Sequence, residues 1–157
     1  MNATHANVDN AASNVFVDLR LNQMRLVSEN FVAMPPPSEE AGKPVQLKTD
    51  TSSGFSVGLD DLEKPTSFTI ELEYKAALSI PNTESKIVDY SSKYFAVFDL
   101  VRSTGVEDWT AVPDETFESY FAVVHQAAVR RAEITFHEAG LKGAGLPRPA
   151  ALNKPSV

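Results

Sequence analysis

Ser67-Phe68-Thr69-Ile70-Glu71-Leu72-Glu73-Tyr74-Lys75-Ala76-Ala77-Leu78-Ser79-Ile80 decides the fold of this chain. Every even position from 68 to 80 is apolar, and every odd position from 67 to 79 is polar or small. Side chains alternate faces along an extended strand, so the stretch predicts a β-strand with one buried and one wet face. At about 3.3 Å per residue it far exceeds the usual strand of about five or six residues. A strand this long needs long neighbours to fill its hydrogen bonds. The reading is a large antiparallel sheet, and what covers that sheet decides the function.

The flanks supply the neighbours. Residues 45–59 carry Val45, Leu47, Thr49, Thr51, Phe55, Val57 and Leu59 in one phase, and Asp60-Asp61 through Pro65 reads as a polar turn. Upstream, Val15, Val17, Leu19 and Leu21 share a phase that slips by one at Gln23, after which Met24, Leu26, Val32 and Met34 continue on even numbers. A one-residue slip within a strand is the sequence signature of a β-bulge. A helix using Val15, Leu19 and Leu26 is the weaker competitor. Pro35-Pro36-Pro37 ends this element, and residues 38–44 read as a solvated crossover loop.

Downstream, residues 81–85 form a turn by composition. A fourth strand then places Val88, Tyr90, Tyr94, Ala96, Phe98 and Leu100 on one face. Its other face holds Ile87, Phe95, Val97 and Val101 beside Asp89, Ser91, Lys93 and Asp99. A strand apolar on both faces asks to be covered twice, by the chain's own helices on one side and by something else on the other, for which a second subunit is a candidate. Phe95 and Val97 are the expected oligomer contacts.

Pro113-Asp114-Glu115 has helix-start chemistry, with proline in the first turn and acids at the positive end of the dipole. Phe117, Tyr120, Phe121, Val124, Ala127, Ala128 and Ile134 follow at helical spacing, with Arg131 interrupting the stripe, and Gly140, Gly143 and Gly145 end it. The predicted fold is α+β, a four-stranded antiparallel sheet with a long C-terminal helix packed on it. It spans residues 15–149, between a disordered N-terminal tail (1–14) and a flexible C-terminal tail (150–157). No internal repeat is visible.

At 157 residues, 43% hydrophobic and 22% charged, the composition is that of one globular domain. A net charge of −7 and a pI near 4.9 argue against nucleic acid or an anionic membrane as the main partner. The absence of cysteine excludes disulfide scaffolds and thiolate metal sites, and fits a reducing compartment. No run is long enough to insert in a membrane, and the first residues lack a signal-peptide core, so the expected location is the cytoplasm.

The search for catalytic chemistry comes back empty. His125 and His137 lie 12 residues apart on one helix, about 18 Å at 1.5 Å per residue, too far to share a metal; His5 is in the tail. No HExxH, phosphate-loop, dinucleotide or nucleophile-elbow motif occurs. The glycine-rich residues 140–145 follow a helix instead of opening one, so they read as its end. The acid pairs Glu39-Glu40 and Asp60-Asp61 read as solubilising, and Trp109 reads as core packing before a binding anchor. No enzyme activity, cofactor or metal is expected.

Across residues 15–149 the order of elements resembles the SecB-like chaperones. Asp18-Leu19-Arg20-Leu21 leading to Phe31-Val32-Ala33-Met34-Pro35, then Ser67-Phe68-Thr69-Ile70-Glu71-Leu72 and Tyr94-Phe95-Ala96-Val97-Phe98-Asp99, carry the likeness. Asp114-Glu115-Thr116-Phe117-Glu118-Ser119-Tyr120, Arg130, Gly140-Leu141 and Leu146-Pro147 continue it. Of the family's aromatic-Pro-Tyr-x-Arg helix motif, only Arg130 is matched. The likeness is to the divergent members, including those found with toxin-antitoxin modules. It implies a homotetramer built as a dimer of dimers that holds non-native polypeptides without ATP. Its partners would be unfolded clients, a translocase motor or an antitoxin. The matching client-binding residues are Phe31, Met34, Val45, Leu47, Phe55, Val57, Trp109 and Phe117. A small-ligand enzyme of the hot-dog type, a phage or assembly subunit, and a sheet domain of unassigned binding role are the competing readings.

Overall fold

A computed structural model of the chain describes residues 14–34, 47–83 and 85–141. The N-terminal tail, the crossover loop at 38–44, Val45, Gly143, Gly145 and the C-terminal tail lie outside the described residues. The elements are β1 (Phe16–Ala33), β2 (Lys48–Leu59), β3 (Ser67–Ser79), β4 (Lys86–Thr104) and α1 (Glu118–Glu138), with 3-10 turns at Trp109–Ala111 and Asp114–Phe117 before the helix. All strand pairs are antiparallel, in the order β1-β4-β3-β2. The two strands consecutive at the start of the chain therefore occupy opposite edges.

The alternation of β3 becomes the centre of the core. Phe68, Ile70, Leu72, Tyr74, Ala76 and Leu78 are at most 1% exposed, and α1 covers them with Val124, Ala128, Ala132 and Phe136. Register pairs large side chains with small ones, Ile70 with Ala96 and Ala76 with Tyr90. Helical Ala128 and Ala132, both fully buried, let the helix backbone settle close to that row.

β1 departs from the sequence reading at one point. The slip after Leu21 is present, but a second slip follows Leu26, so the inner face continues as Glu29, Phe31 and Ala33. Val32, expected beside Met24 and Leu26, pairs with Asp89 on the outer face. The bulged Val27 restores the original phase, and a charged residue at the inner position hid the change. A third shift, between Asp18 and Leu19, leaves Val101 of β4 unpaired and 55% exposed.

The helix also rotates relative to the expected stripe. Ile134 is 42% exposed, and Val129, Ala132 and Phe136 face the core instead. At about 100° per residue, positions 134 and 136 lie on opposite sides of a helix, so only one of them can face the sheet. Phe136 takes that place because Phe31 and Tyr90 receive it, with ring centroids 5.9 and 5.6 Å away.

The helix ends at Gly140, whose φ of +83° suits glycine. Its N–H donates to the His137 carbonyl and the Leu141 N–H to that of Phe136, the paired closure of a Schellman motif. The β3–β4 turn has Pro81 followed by Asn82 at φ +63°, the pattern of a type II turn. Asp60, read as solubilising, organises the β2–β3 turn. Its carboxylate accepts from the N–H groups of Asp61, Thr66 and Ser67 and from the Thr66 hydroxyl, which holds it well below the usual carboxylate range.

Gly105 joins β4 to the loop before the helix at φ +72°, and a Cβ there would lie 2.7 Å from the Asn14 carbonyl oxygen. Backbone strain and a backbone clash coincide at this position. Gly105→Ala is expected to destabilise the fold by about 1–3 kcal/mol, read as a lowered urea midpoint at unchanged m-value.

Candidate functional site

One helix covers the two central strands and leaves the inner rows of both edge strands accessible. On the β2 side, register places Phe55, Val57 and Leu59 beside Leu72, Ile70 and Phe68, so they extend the core row outward. Phe55 and Val57 are nonetheless 37% and 38% exposed. The helix reaches this strand through Phe121, whose ring lies 4.8 Å from that of Phe55, and through His125. The result is a groove floored by β2 and walled by α1.

A second groove lies on the β1 side. Leu21, Met24 and Leu26 pair with Phe98, Ala96 and Tyr94 on the inner face, and Leu21 and Leu26 remain exposed. Helix positions 123, 127 and 134, spaced four and seven apart, form one stripe that holds the exposed Val123 and Ile134. That stripe flanks Tyr120 and Arg131, which both bond to β1, so it turns toward β1. Among the described residues, half of the exposed large apolar side chains (Leu21, Leu26, Phe55, Val57, Val123 and Ile134) line the two seams of the helix, while Phe16, Val27, Val32, Met34, Leu62 and Val101 lie elsewhere.

A polar clasp closes the β1 seam. The Glu29 carboxylate accepts from Arg131 Nε and Nη2 (3.0 and 2.8 Å), from Thr135 Oγ1 (2.7 Å) and from Tyr90 Oη (3.0 Å). The Arg131 guanidinium holds Glu29 below its ordinary value, while burial pushes the Tyr90 phenol up. At the other end of the same seam, Tyr120 Oη accepts from the Leu19 N–H and donates to the Val17 carbonyl. These bonds fix how far α1 stands from the edge strand. Sequence reading noticed Arg131 only as an interruption and gave Glu29 no part, because nothing local says that two charges 102 residues apart will meet.

Among the described residues, no helix lies on the outer face of the sheet. Phe95 and Val97 lie there half-buried, and the Arg25 guanidinium stacks over the Phe95 ring at 5.0 Å. Around them is a shallow depression of about 520 Å³, edged by Arg25, Lys93, Glu71 and Glu73 and opened by the bare Gly54.

The residues singled out from sequence fall into three groups. Phe55 and Val57 are exposed at groove positions, whereas Met34, expected with them, is exposed on the outer side of β1 in phase with Val32 and opposite Ile87. Phe31, Leu47 and Trp109 are half-buried against the core, Phe31 on Phe136 and Trp109 on Phe68 at 5.4 Å. Phe117 is 6% exposed and 5.6 Å from Phe68, so it packs beneath the groove wall. Leu21, Leu26, Val123 and Ile134 line a groove without having been singled out, since strand order alone exposes them. Among the described residues no cluster of three or more His, Asp or Glu has the arrangement of a metal site, and no helix is long and apolar enough to cross a membrane.

No protein-family model and no curated protein matches the chain. Among solved structures it is similar to the SecB-like chaperone Rv1957 of Mycobacterium tuberculosis, solved in complex with a ChAD peptide from the HigA1 antitoxin. The match has a TM-score of 0.57 at 14% identity and covers 82% of this chain and 89% of that one. The fold is thus the SecB-like arrangement of sheet and helix.

The Glu29–Arg131 clasp should be measurable in stability. The native Glu29 carboxyl titrates below its ordinary 4.5, so its contribution is present above that pH and is lost as pH falls through the native value. Arg131 is 39% exposed, which tempers the effect. Arg131→Met is expected to lower the urea midpoint modestly at pH 7. Urea midpoints should show the gap to wild type narrowing as pH falls below 4.5, where the unfolded chain's Glu29 takes up its proton first.

Proposed function

We propose that this chain is an ATP-independent holdase that binds non-native polypeptide segments in the two seams beside α1. The observation that carries the reading is the placement of exposed apolar side chains. Phe55 and Val57 on one edge, and Leu21 and Leu26 on the other, sit in rows continuous with the core, on a chain of net charge −7. Apolar rows exposed on an otherwise charged protein mark a partner surface. Phe55 and Val57 would make the leading contacts, with Phe31, Leu47, Trp109 and Phe117 shaping the walls. An extended segment fits such a seam, because apolar side chains at alternate positions meet the rows while its backbone remains hydrated.

The fold likeness to a chaperone solved with an antitoxin peptide supports the same class of partner here, an export precursor or a dedicated antitoxin. The lack of any nucleotide or catalytic motif supports binding without turnover. In this reading the working form is a dimer of dimers in the cytoplasm. Phe95 and Val97 on the uncovered sheet face lie against a neighbouring subunit, and a translocase motor is a further candidate partner.

The groove is tested by Phe55→Ser combined with Val57→Ser, both on an edge strand and more than a third exposed. Circular dichroism should be unchanged, while suppression of the aggregation of a chemically denatured client should fall severalfold at equal chaperone. Undiminished protection would overturn the groove assignment. Assembly is tested separately by light scattering, where multiples of 17.1 kDa are expected at micromolar concentration. Phe95→Glu should shift the protein toward the monomer, and a wild-type monomer at every concentration would remove the assembly from the proposal.

A further inference from the structure

His125 occupies a place that packing alone does not require. Its ring stands between Phe55 of the edge strand, 6.2 Å away, and Tyr74 of β3, 5.6 Å away and nearly perpendicular. With Phe121 it makes the aromatic contact of α1 with β2. An imidazole here is neutral or charged depending on pH, in a seam otherwise built of apolar rings.

The surroundings offer little to balance a charge. From β2, residues 51–59 contain no ionisable side chain. From β3, Leu72, Tyr74 and Ala76 face the helix, and the charged Glu71, Glu73 and Lys75 project from the opposite side of the sheet. The Tyr74 hydroxyl is buried and makes no hydrogen bond to the ring. On α1, the residues one turn away are Phe121, Ala122, Ala128 and Val129, all uncharged. Glu118 and Glu133 are about two turns away on either side, and Glu133 is felt by Tyr74. Burial alone accounts for the downward shift of the imidazole from 6.5.

We infer that His125 is an acid-labile latch on the β2 groove: neutral, it seals the edge strand to the helix, and protonated, it releases the segment around Phe55. The inference rests on the groove reading above and adds regulation to it. The sign follows from the environment. The sealed state favours the neutral ring, so the released state binds more protons below pH 6.5, and sealing weakens as pH falls through that range. One proton lowers the sealed-to-released ratio by at most about tenfold per pH unit. Clients would thus meet a differently shaped groove in mildly acidic conditions.

Hydrogen exchange of residues 51–59 in the client-free protein, corrected for intrinsic rates, tests the latch at pH 7.5 and 5.5. Wild type should lose at least threefold of its β2 protection at pH 5.5, while the central strand β3 keeps its own. His125→Phe, which cannot charge, should hold β2 protection constant between the two values. If that variant does not fold, His125→Gln serves the same purpose. Wild-type protection that is unchanged with pH, or that falls equally in the uncharged variant, would overturn the inference. The measurement contains no client, so its failure leaves the groove standing. Loss of the groove in the Phe55/Val57 experiment would leave the latch without a function.

Discussion

A single α-helix is too narrow for the sheet beneath it, and most of the structure follows from that mismatch. With side chains, a helix is about 10–12 Å across, whereas four strands at about 4.8 Å spacing already span about 14 Å between outer backbones. The helix settles where the side chains are largest and most regular, over β3 and β4, whose inner residues are almost all at most 2% exposed. The inner rows of β1 and β2 are left at its margins. Leu21 and Leu26 on β1 and Phe55 and Val57 on β2 continue the apolar pattern of the core, and they are exposed because the helix only partly covers them.

The two margins are held differently, and the difference bears on how each behaves. On the β1 side a carboxylate, a guanidinium and two hydroxyls set the separation, with Tyr120 bonding the strand backbone further along. Directional bonds of this kind tolerate little sliding. On the β2 side the contact is between rings, Phe55 with Phe121 and His125, and such contacts slip and repack more readily. Between the two margins, Tyr74 and Ser92, paired across β3 and β4, bring their hydroxyls into the core. Burial pushes the Tyr74 phenol up to about 12, so it is neutral throughout the physiological range.

The outer sheet face poses the complementary problem. Full burial of Phe95 and Val97 would be worth about 1.5–3 kcal/mol each. The single chain reaches only part of this, through the stacked Arg25 and the neighbouring strands. The two faces thus differ: one carries partly buried apolar side chains with no helix among the described residues over them, and the other is covered at its centre and open at its margins.

The amino-acid sequence by itself determined the elements. The alternation from 68 to 80, the slip after Leu21, the proline turns and the Gly140 helix end are all local patterns, because pleat, bulge and cap each depend on a few adjacent residues. The α+β class and the SecB-like order were legible for the same reason. Tertiary structure alone decided which strand lies at each edge, and hence whether Leu21 and Phe55 are core or surface. It also placed Glu29 on the inner face, where only Arg131, Thr135 and Tyr90, all distant in sequence, make a charge tolerable. Phe136 replaced Ile134 on the buried stripe because Phe31 and Tyr90 were there to receive it. Exposure and ionic pairing are properties of neighbours brought together by folding, and a pattern read along one dimension cannot contain them.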